Sequence, residues 1–132
     1  IFRDFAHAPS KLKATVNAVK SRFPAEQLVA VFELHTFSSM NKKFLPHYSG
    51  ALDLADIAAV YFSPHAFELK KLEPFTEAEI RDGFNNQSIR VLNDADALLG
   101  FIKTHVRNPA NVLLMSSGNF DNANFDKIPL LN

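Results

Sequence analysis

Leu28-Val29-Ala30-Val31-Phe32 is an unbroken apolar run of strand length. A strand with one wet face alternates apolar and polar residues, whereas a run like this one is expected where both faces are covered, as in a parallel sheet. It predicts a central strand. Upstream, Leu12, Val16, Val19 and Phe23 recur at helical spacing with Lys11, Lys13, Asn17 and Lys20 between them, so an amphipathic helix runs from Pro9 to about Arg22 and stops at Pro24. Ile1-Phe2 reads as the end of an earlier extended segment. Downstream, Ile57 to Phe62 and Asn111 to Met115 are further buried strands, and Ser88 to Leu92 is a short one.

The connections follow the same alternation. Asn41 to Ala55 reads as one helix or two short ones, with Phe44, Leu45, Tyr48, Leu52 and Leu54 on a buried face and a break near Gly50. Ser63-Pro64-His65 is a polar strand end, and Lys70 to Phe75 an irregular connection. Thr76 and Glu79 form a capping box ahead of a helix from Glu77 to Phe84. Asn93 or Asp94 caps another helix, whose Leu98, Leu99, Ile102 and Val106 face the sheet, and Asn108-Pro109 ends the connection that follows. The tail from Phe120 to Asn132 adds one edge strand or helix. Strands alternating with helices argue for an α/β, Rossmann-like fold: a mostly parallel, doubly wound sheet of about five to six strands flanked by helices.

Composition narrows the function classes. The 132 residues are 47% hydrophobic, enough for one domain with a core. Fourteen basic residues balance fourteen acidic ones, and they are dispersed, so neither a nucleic-acid surface nor a membrane patch is expected. Without cysteine there is no disulfide, thiol catalysis or cysteine metal site. The four glycines form neither a dinucleotide fingerprint nor a phosphate-cradling loop, so autonomous nucleotide hydrolysis is not expected. The chain opens on Ile1, inside a strand, and is read as part of something longer.

In an open α/β sheet, ligands bind beyond the carboxyl ends of the strands. Four polar segments fall there: Asp4-Phe5-Ala6-His7-Ala8-Pro9-Ser10, Glu33 to Ser39, Ser63-Pro64-His65, and Ser116-Ser117-Gly118-Asn119. Asp4 and His7 are candidate site residues. The plainer alternative is that Asp4 and Ser10 cap the helix and His7 is a solvated loop residue. For Glu33 to Ser39 the plain reading is a polar loop that merely ends a strand.

The first segment, with the helix Lys11-Leu12-Lys13-Ala14-Thr15-Val16 behind it, resembles the start of the C-terminal domain of Mur ligases, which typically reads Asp-(Tyr/Phe)-(Ala/Gly)-His-His-Pro-(Thr/Ser). Val31 to Phe37 and Leu113 to Phe120 resemble later segments of that domain, so the resemblance covers nearly the whole chain, 1–132. Within the family the wording is nearest to members that join UDP-N-acetylmuramate to the murein tripeptide L-alanyl-γ-D-glutamyl-meso-diaminopimelate, with the L-alanine-adding members as the alternative. The resemblance implies a cytoplasmic, ATP-dependent ligase. A central domain would hold ATP and Mg2+, an N-terminal domain the UDP group, and this domain would close over both. By the same analogy Asp4 contacts the ribose of ATP, His7 lies near the phosphates or the reacting carboxylate, and His35, Thr36, Ser39, Ser116 and Ser117 face the amino substrate.

Two departures from the pattern matter. Ala8 stands where the family has a second histidine, and Thr36 and Ser39 stand where alanine-adding members carry arginines suited to a carboxylate. Two other readings stay open. One is a non-catalytic α/β binding module. The other is a folylpolyglutamate synthase-like ligase, against which the Ala-His-x-Pro pattern speaks.

Overall fold

Residues 1–107 and 109–128 are described by a computed structural model. In chain order the elements are β1 (Phe2–Asp4), α1 (Pro9–Arg22), β2 (Gln27–Leu34), β3 (Ile57–Phe62), α2 (Pro64–Leu69), α3 (Glu77–Gly83), β4 (Arg90–Leu92), α4 (Ala95–His105) and β5 (Ala110–Met115). The five strands form one wholly parallel sheet in the order β1-β5-β2-β3-β4. The Leu28 to Phe32 run is the middle of the central strand, and every residue of β2 from Leu28 onward is buried.

Alternation along the strands divides the apolar side chains between two cores. Leu28, Ala30, Phe32 and Leu34 face one core with Leu12 and Val16 of α1, Phe67 of α2 and Ile80 of α3. Val29, Val31, Ala59 and Tyr61 face the other, which α4 closes with Leu98, Leu99, Phe101 and Ile102. The sheet is therefore doubly wound.

The structure corrects four expectations. Residues 41–55 are not helical: tight turns with i→i+3 bonds lead into a single 3-10 turn, Leu45–Tyr48. Pro46 has no N–H to continue a ladder, and Gly50 takes the left-handed φ of +77° while its N–H is drawn to the Phe84 carbonyl. Leu45, Tyr48 and Leu52 are buried as expected, but Leu54 is exposed. Ser63-Pro64 is not only a strand end. Ser63 Oγ accepts the Ala66 N–H and Pro64 occupies the first turn, which starts the six-residue helix α2. Strand β2 runs two residues past Phe32, so Glu33 lies inside the sheet and not in the turn. The tail forms two 3-10 turns, Phe120–Asn122 and Phe125–Lys127. Leu130, Leu131 and the Asn108 end of the last connection lie outside the described residues.

Candidate functional site

The first strand end is open. Asp4 Oδ1 accepts the Ala6 N–H at 2.7 Å, turning the chain, and the Asp4 carbonyl accepts the Ser116 N–H at 3.1 Å, tying the turn to β5. Neither Asp4 nor Ser10 caps α1. The N-cap is Ala8, with no side-chain bond, so the plainer alternative for Asp4 does not hold in that form. His7 Nδ1 lies 3.0 Å from the Phe5 carbonyl, which can only accept. The ring proton is therefore assigned to Nδ1, and Nε2 has no protein partner among the described residues. The His7 carbonyl accepts the Tyr48 O–H at 2.7 Å. Burial pushes the Tyr48 phenol up, so it stays a donor at any physiological pH. Phe5 is 70% exposed. Beside it lies a hollow of about 220 Å³, lined by Arg3, Asp4, Phe5, Ser116, Gly118 and Phe120 among others.

The strand ends after β2 and β5 close on each other. Glu33 is only 2% exposed, and its Oε1 accepts the Ser116 O–H at 2.5 Å and the Phe120 N–H at 3.0 Å. Ser116 Oγ also accepts the Gly118 N–H at 2.7 Å. The single hydroxyl proton of Ser116 is thus spent on Glu33, and toward a ligand the residue can only accept. His35 lies over Gly118. A Cβ there would stand 2.7 Å from His35 Nδ1 and 2.9 Å from Glu33 Oε1, so any other residue would have to push the His35 ring and the Glu33 carboxylate aside. Thr36 and Ser39 bond each other: Thr36 Oγ1 accepts the Ser39 N–H at 3.1 Å and Ser39 Oγ donates to the Thr36 carbonyl at 3.0 Å, with Ser39 fully buried. Ser117 Oγ is buried without a partner, the one such side-chain atom among the described residues.

The loop after β5 turns through three consecutive left-handed residues, Phe120, Asp121 and Asn122, with φ of 53°, 54° and 59°. Asp and Asn tolerate that region, but a phenylalanine there carries a penalty of roughly 1–2 kcal/mol. Tyr61 helps to hold the turn by donating to Asp121 Oδ2 at 2.5 Å. Burial, and then that bond, push the Tyr61 phenol up.

Of the expected site residues, Asp4 and Ser116 line the hollow, and His35 packs against the Glu33–Gly118 cluster beside it. His7, Thr36, Ser39 and Ser117 are not among its lining. Sequence reasoning passed over two residues. Glu33, a carboxylate framed by Phe32 and Leu34, carried a signal, because a charge inside an apolar strand needs buried partners. Lys70 carried none: its Nζ reaches the His35 carbonyl at 2.5 Å and stands 5.4 Å from the centre of the Phe37 ring, contacts made across 35 and 33 residues of chain. Among the described residues no three His, Asp or Glu side chains converge as a metal would need. No described helix is long and apolar enough to cross a membrane.

No protein-family model matches this chain. A UDP-N-acetylmuramate–L-alanine ligase of Chlorobium luteolum is 33% identical over 114 residues, covering 83% of the chain and 24% of that ligase. The chain thus spans about a quarter of the length of that curated relative. Two solved structures share the fold. One is a domain assigned to a UDP-N-acetylmuramate:L-alanyl-γ-D-glutamyl-meso-diaminopimelate ligase of Haemophilus ducreyi, with a TM-score of 0.66, 21% identity and coverage of 98% of this chain and 89% of that one. The other is a murein peptide ligase of Psychrobacter arcticus, with a TM-score of 0.70, 21% identity and coverage of 96% and 26%. With this parallel sheet and these strand-end segments, the chain belongs to the Mur ligase family.

Proposed function

We propose that this chain is the C-terminal domain of a cytoplasmic, ATP-dependent ligase that joins UDP-N-acetylmuramate to the murein tripeptide L-alanyl-γ-D-glutamyl-meso-diaminopimelate in peptidoglycan recycling. The observation that carries the reading is the open strand end: Asp4 and the exposed Phe5 border a hollow at the carboxyl edge of the sheet, where such folds bind nucleotides. Phe5 offers an apolar face for a base, and the Asp4 oxygen not engaged with Ala6 can accept from a ribose hydroxyl. ATP and Mg2+ would be held chiefly by a central domain, and the UDP group by an N-terminal one.

In the reaction, the muramyl carboxylate attacks the γ-phosphorus of ATP, ADP leaves, and the peptide amine attacks the acyl phosphate and expels phosphate. The anhydride must be shielded from water and the amine aligned with it, which a closing domain provides. His7, with Nε2 unpaired, is the group that would meet the phosphates or the reacting carboxylate, donating to them when Nε2 also carries a proton. His35 and Ser117 would lie toward the amino substrate. Thr36 and Ser39 would act there mainly by shaping the wall, since their hydroxyls serve neighbouring groups, whereas Ser116, whose hydroxyl serves Glu33, would border the nucleotide in the hollow that it lines. A second reading, the L-alanine ligase, is favoured by the 33% identity to such an enzyme.

The test uses the full-length ligase with UDP-N-acetylmuramate and, in parallel, tripeptide and L-alanine. Ligation of the tripeptide is expected, and exclusive use of L-alanine would transfer the assignment to the second reading. Asp4→Ala should raise the KM for ATP more than that for the amino substrate, and an unchanged KM for ATP would remove Asp4 from the ribose.

A further inference from the structure

Glu33 on β2 and Tyr61 on β3 are register partners in the sheet. Tyr61 belongs to the core that α4 closes, and alternation from Val31 places Glu33 on the same face. Both side chains reach the turn that follows β5. Glu33 Oε1 accepts the Phe120 N–H and Tyr61 donates to the neighbouring Asp121 carboxylate. These are two of the three consecutive residues with left-handed φ. The Phe120 ring packs edge-on against Tyr61 at 5.8 Å and against Phe125 at 5.8 Å, and Arg3 covers Phe125 at 5.1 Å. Phe120, Gly118 and Ser116 line the hollow beside Asp4 and Phe5.

A bulky residue keeps a left-handed φ only where its surroundings over-determine it. Here the surroundings are one carboxylate and one phenol from adjacent strands. We infer that Glu33 and Tyr61 are positioning residues for nucleotide binding: together they clamp the left-handed turn at 120–122 so that it stands as a wall of the hollow. Neither lines the hollow; they act through Phe120, Asp121 and Ser116. What Glu33 contributes is an acceptor, not a charge, because its two partners are a hydroxyl and a backbone N–H. The inference rests on the reading of the hollow as the ATP site.

The test measures steady-state kinetics of the full-length ligase, varying ATP, UDP-N-acetylmuramate and the amino substrate separately, with the melting temperature of each variant. Tyr61→Phe is expected to raise the KM for ATP by about fivefold, and Glu33→Ala by about tenfold, with the other two KM values unchanged. Glu33→Gln, which keeps an acceptor in place, should remain within about twofold of the parent. Asp121→Ala should match Tyr61→Phe, and the double variant should be no worse than either single one, because one hydrogen bond is lost in all three. A purely structural role would lower the melting temperature and the active fraction while leaving the KM for ATP alone. That outcome overturns the inference, as does a Glu33→Gln variant as impaired as Glu33→Ala. Where Glu33→Ala fails to fold, Tyr61→Phe decides. A parent enzyme that forms no amide bond in an ATP-dependent way overturns the proposed function and this inference with it. A parental KM for ATP in Tyr61→Phe, in an active ligase, overturns the inference alone.

Discussion

The turn after β1 and the turn after β2 carry similar polar side chains to the same edge of one sheet, yet they dispose of their hydrogen-bonding groups in opposite ways. After β1, Asp4 uses one oxygen on Ala6 and His7 one nitrogen on Phe5, and each keeps a second atom without a protein partner among the described residues. After β2, Thr36 and Ser39 satisfy each other, Glu33 accepts from Ser116 and Phe120 through the one oxygen Oε1, and the His35 carbonyl is taken by Lys70. Strand-end polarity therefore has two meanings. Where the free groups are exposed it marks a surface that can meet a ligand, and where the groups are mostly engaged with one another it marks the scaffold that holds the surface still.

If that division is sound, substitutions in the closed turns should cost stability and those in the open turn only activity. The largest effect is expected at Ser116. Ser116→Ala leaves the buried Glu33 with one donor fewer and frees the Gly118 N–H, which should cost about 2 kcal/mol in urea denaturation of the isolated domain. A loss below about 0.5 kcal/mol would show that water replaces the hydroxyl and that the turn is not closed. Next comes His7→Ala, whose side chain makes one exposed hydrogen bond. Turnover of the full-length ligase should fall at least about tenfold, near 1.4 kcal/mol in the barrier, with an unaltered melting temperature. Parental turnover would make the open turn as structural as the closed ones. Thr36→Val removes the acceptor for the Ser39 N–H and should cost about 1 kcal/mol of stability with no change in KM for the amino substrate. A raised KM there would place Thr36 on the ligand-facing side of the division.

The smallest effect belongs to the far edge of the sheet. The Lys20 ammonium, then the Leu28 N–H, hold the Asp56 carboxyl below its ordinary value of 3.8. A depressed carboxylate contributes stability that is complete above the unfolded value and disappears as pH falls through the folded one. Acid titration of Asp56→Asn should therefore show a slightly shallower loss of stability than the parent below about pH 4, by a few tenths of a kcal/mol, since the pair is partly exposed and screened. Identical acid limbs would mean that this pair contributes nothing measurable.

What could be read in advance followed from local chemistry. Helix α1 was bounded by Pro9 and Pro24, β3 by its unbroken apolar run, and α3 by the Thr76–Glu79 capping box, all of which act within a few residues. Helix α2 escaped because six residues, with Ala66, Phe67 and Leu69, are too few to set a period, although Ser63-Pro64 was a start signal. Residues 41–55 had the spacing of a helix, but Pro46 and Gly50 outweighed it. That Asp4 and Ser116 stand at the carboxyl edge of the sheet was legible, because a strand end in a parallel sheet is a position that can be counted. The mutual bonding of Thr36 and Ser39 was not, because a hydroxyl that binds a ligand and one that binds a backbone carbonyl look alike in a sequence. The Asn-Phe-Asp-Asn string at 119–122 did hold a clue to the left-handed turn, since Asp and Asn are the residues that enter that region.

The two turns that border the hollow are fastened to different cores. The Asp4–Pro9 turn is tied by the Tyr48 hydroxyl to the core of α1, α2 and α3, and the 116–122 turn by Tyr61 and Phe120 to the core of α4. A molecule seated between Phe5 and Phe120 would therefore couple the two halves of the domain by mass action. Any affinity for the assembled hollow adds RT ln(1 + [L]/Kd) to the unfolding free energy, about 2.7 kcal/mol at a hundredfold excess over Kd. Occupancy would thus be written into the cooperativity of the whole domain, and a rise in its melting temperature with nucleotide concentration would report it without any turnover at all.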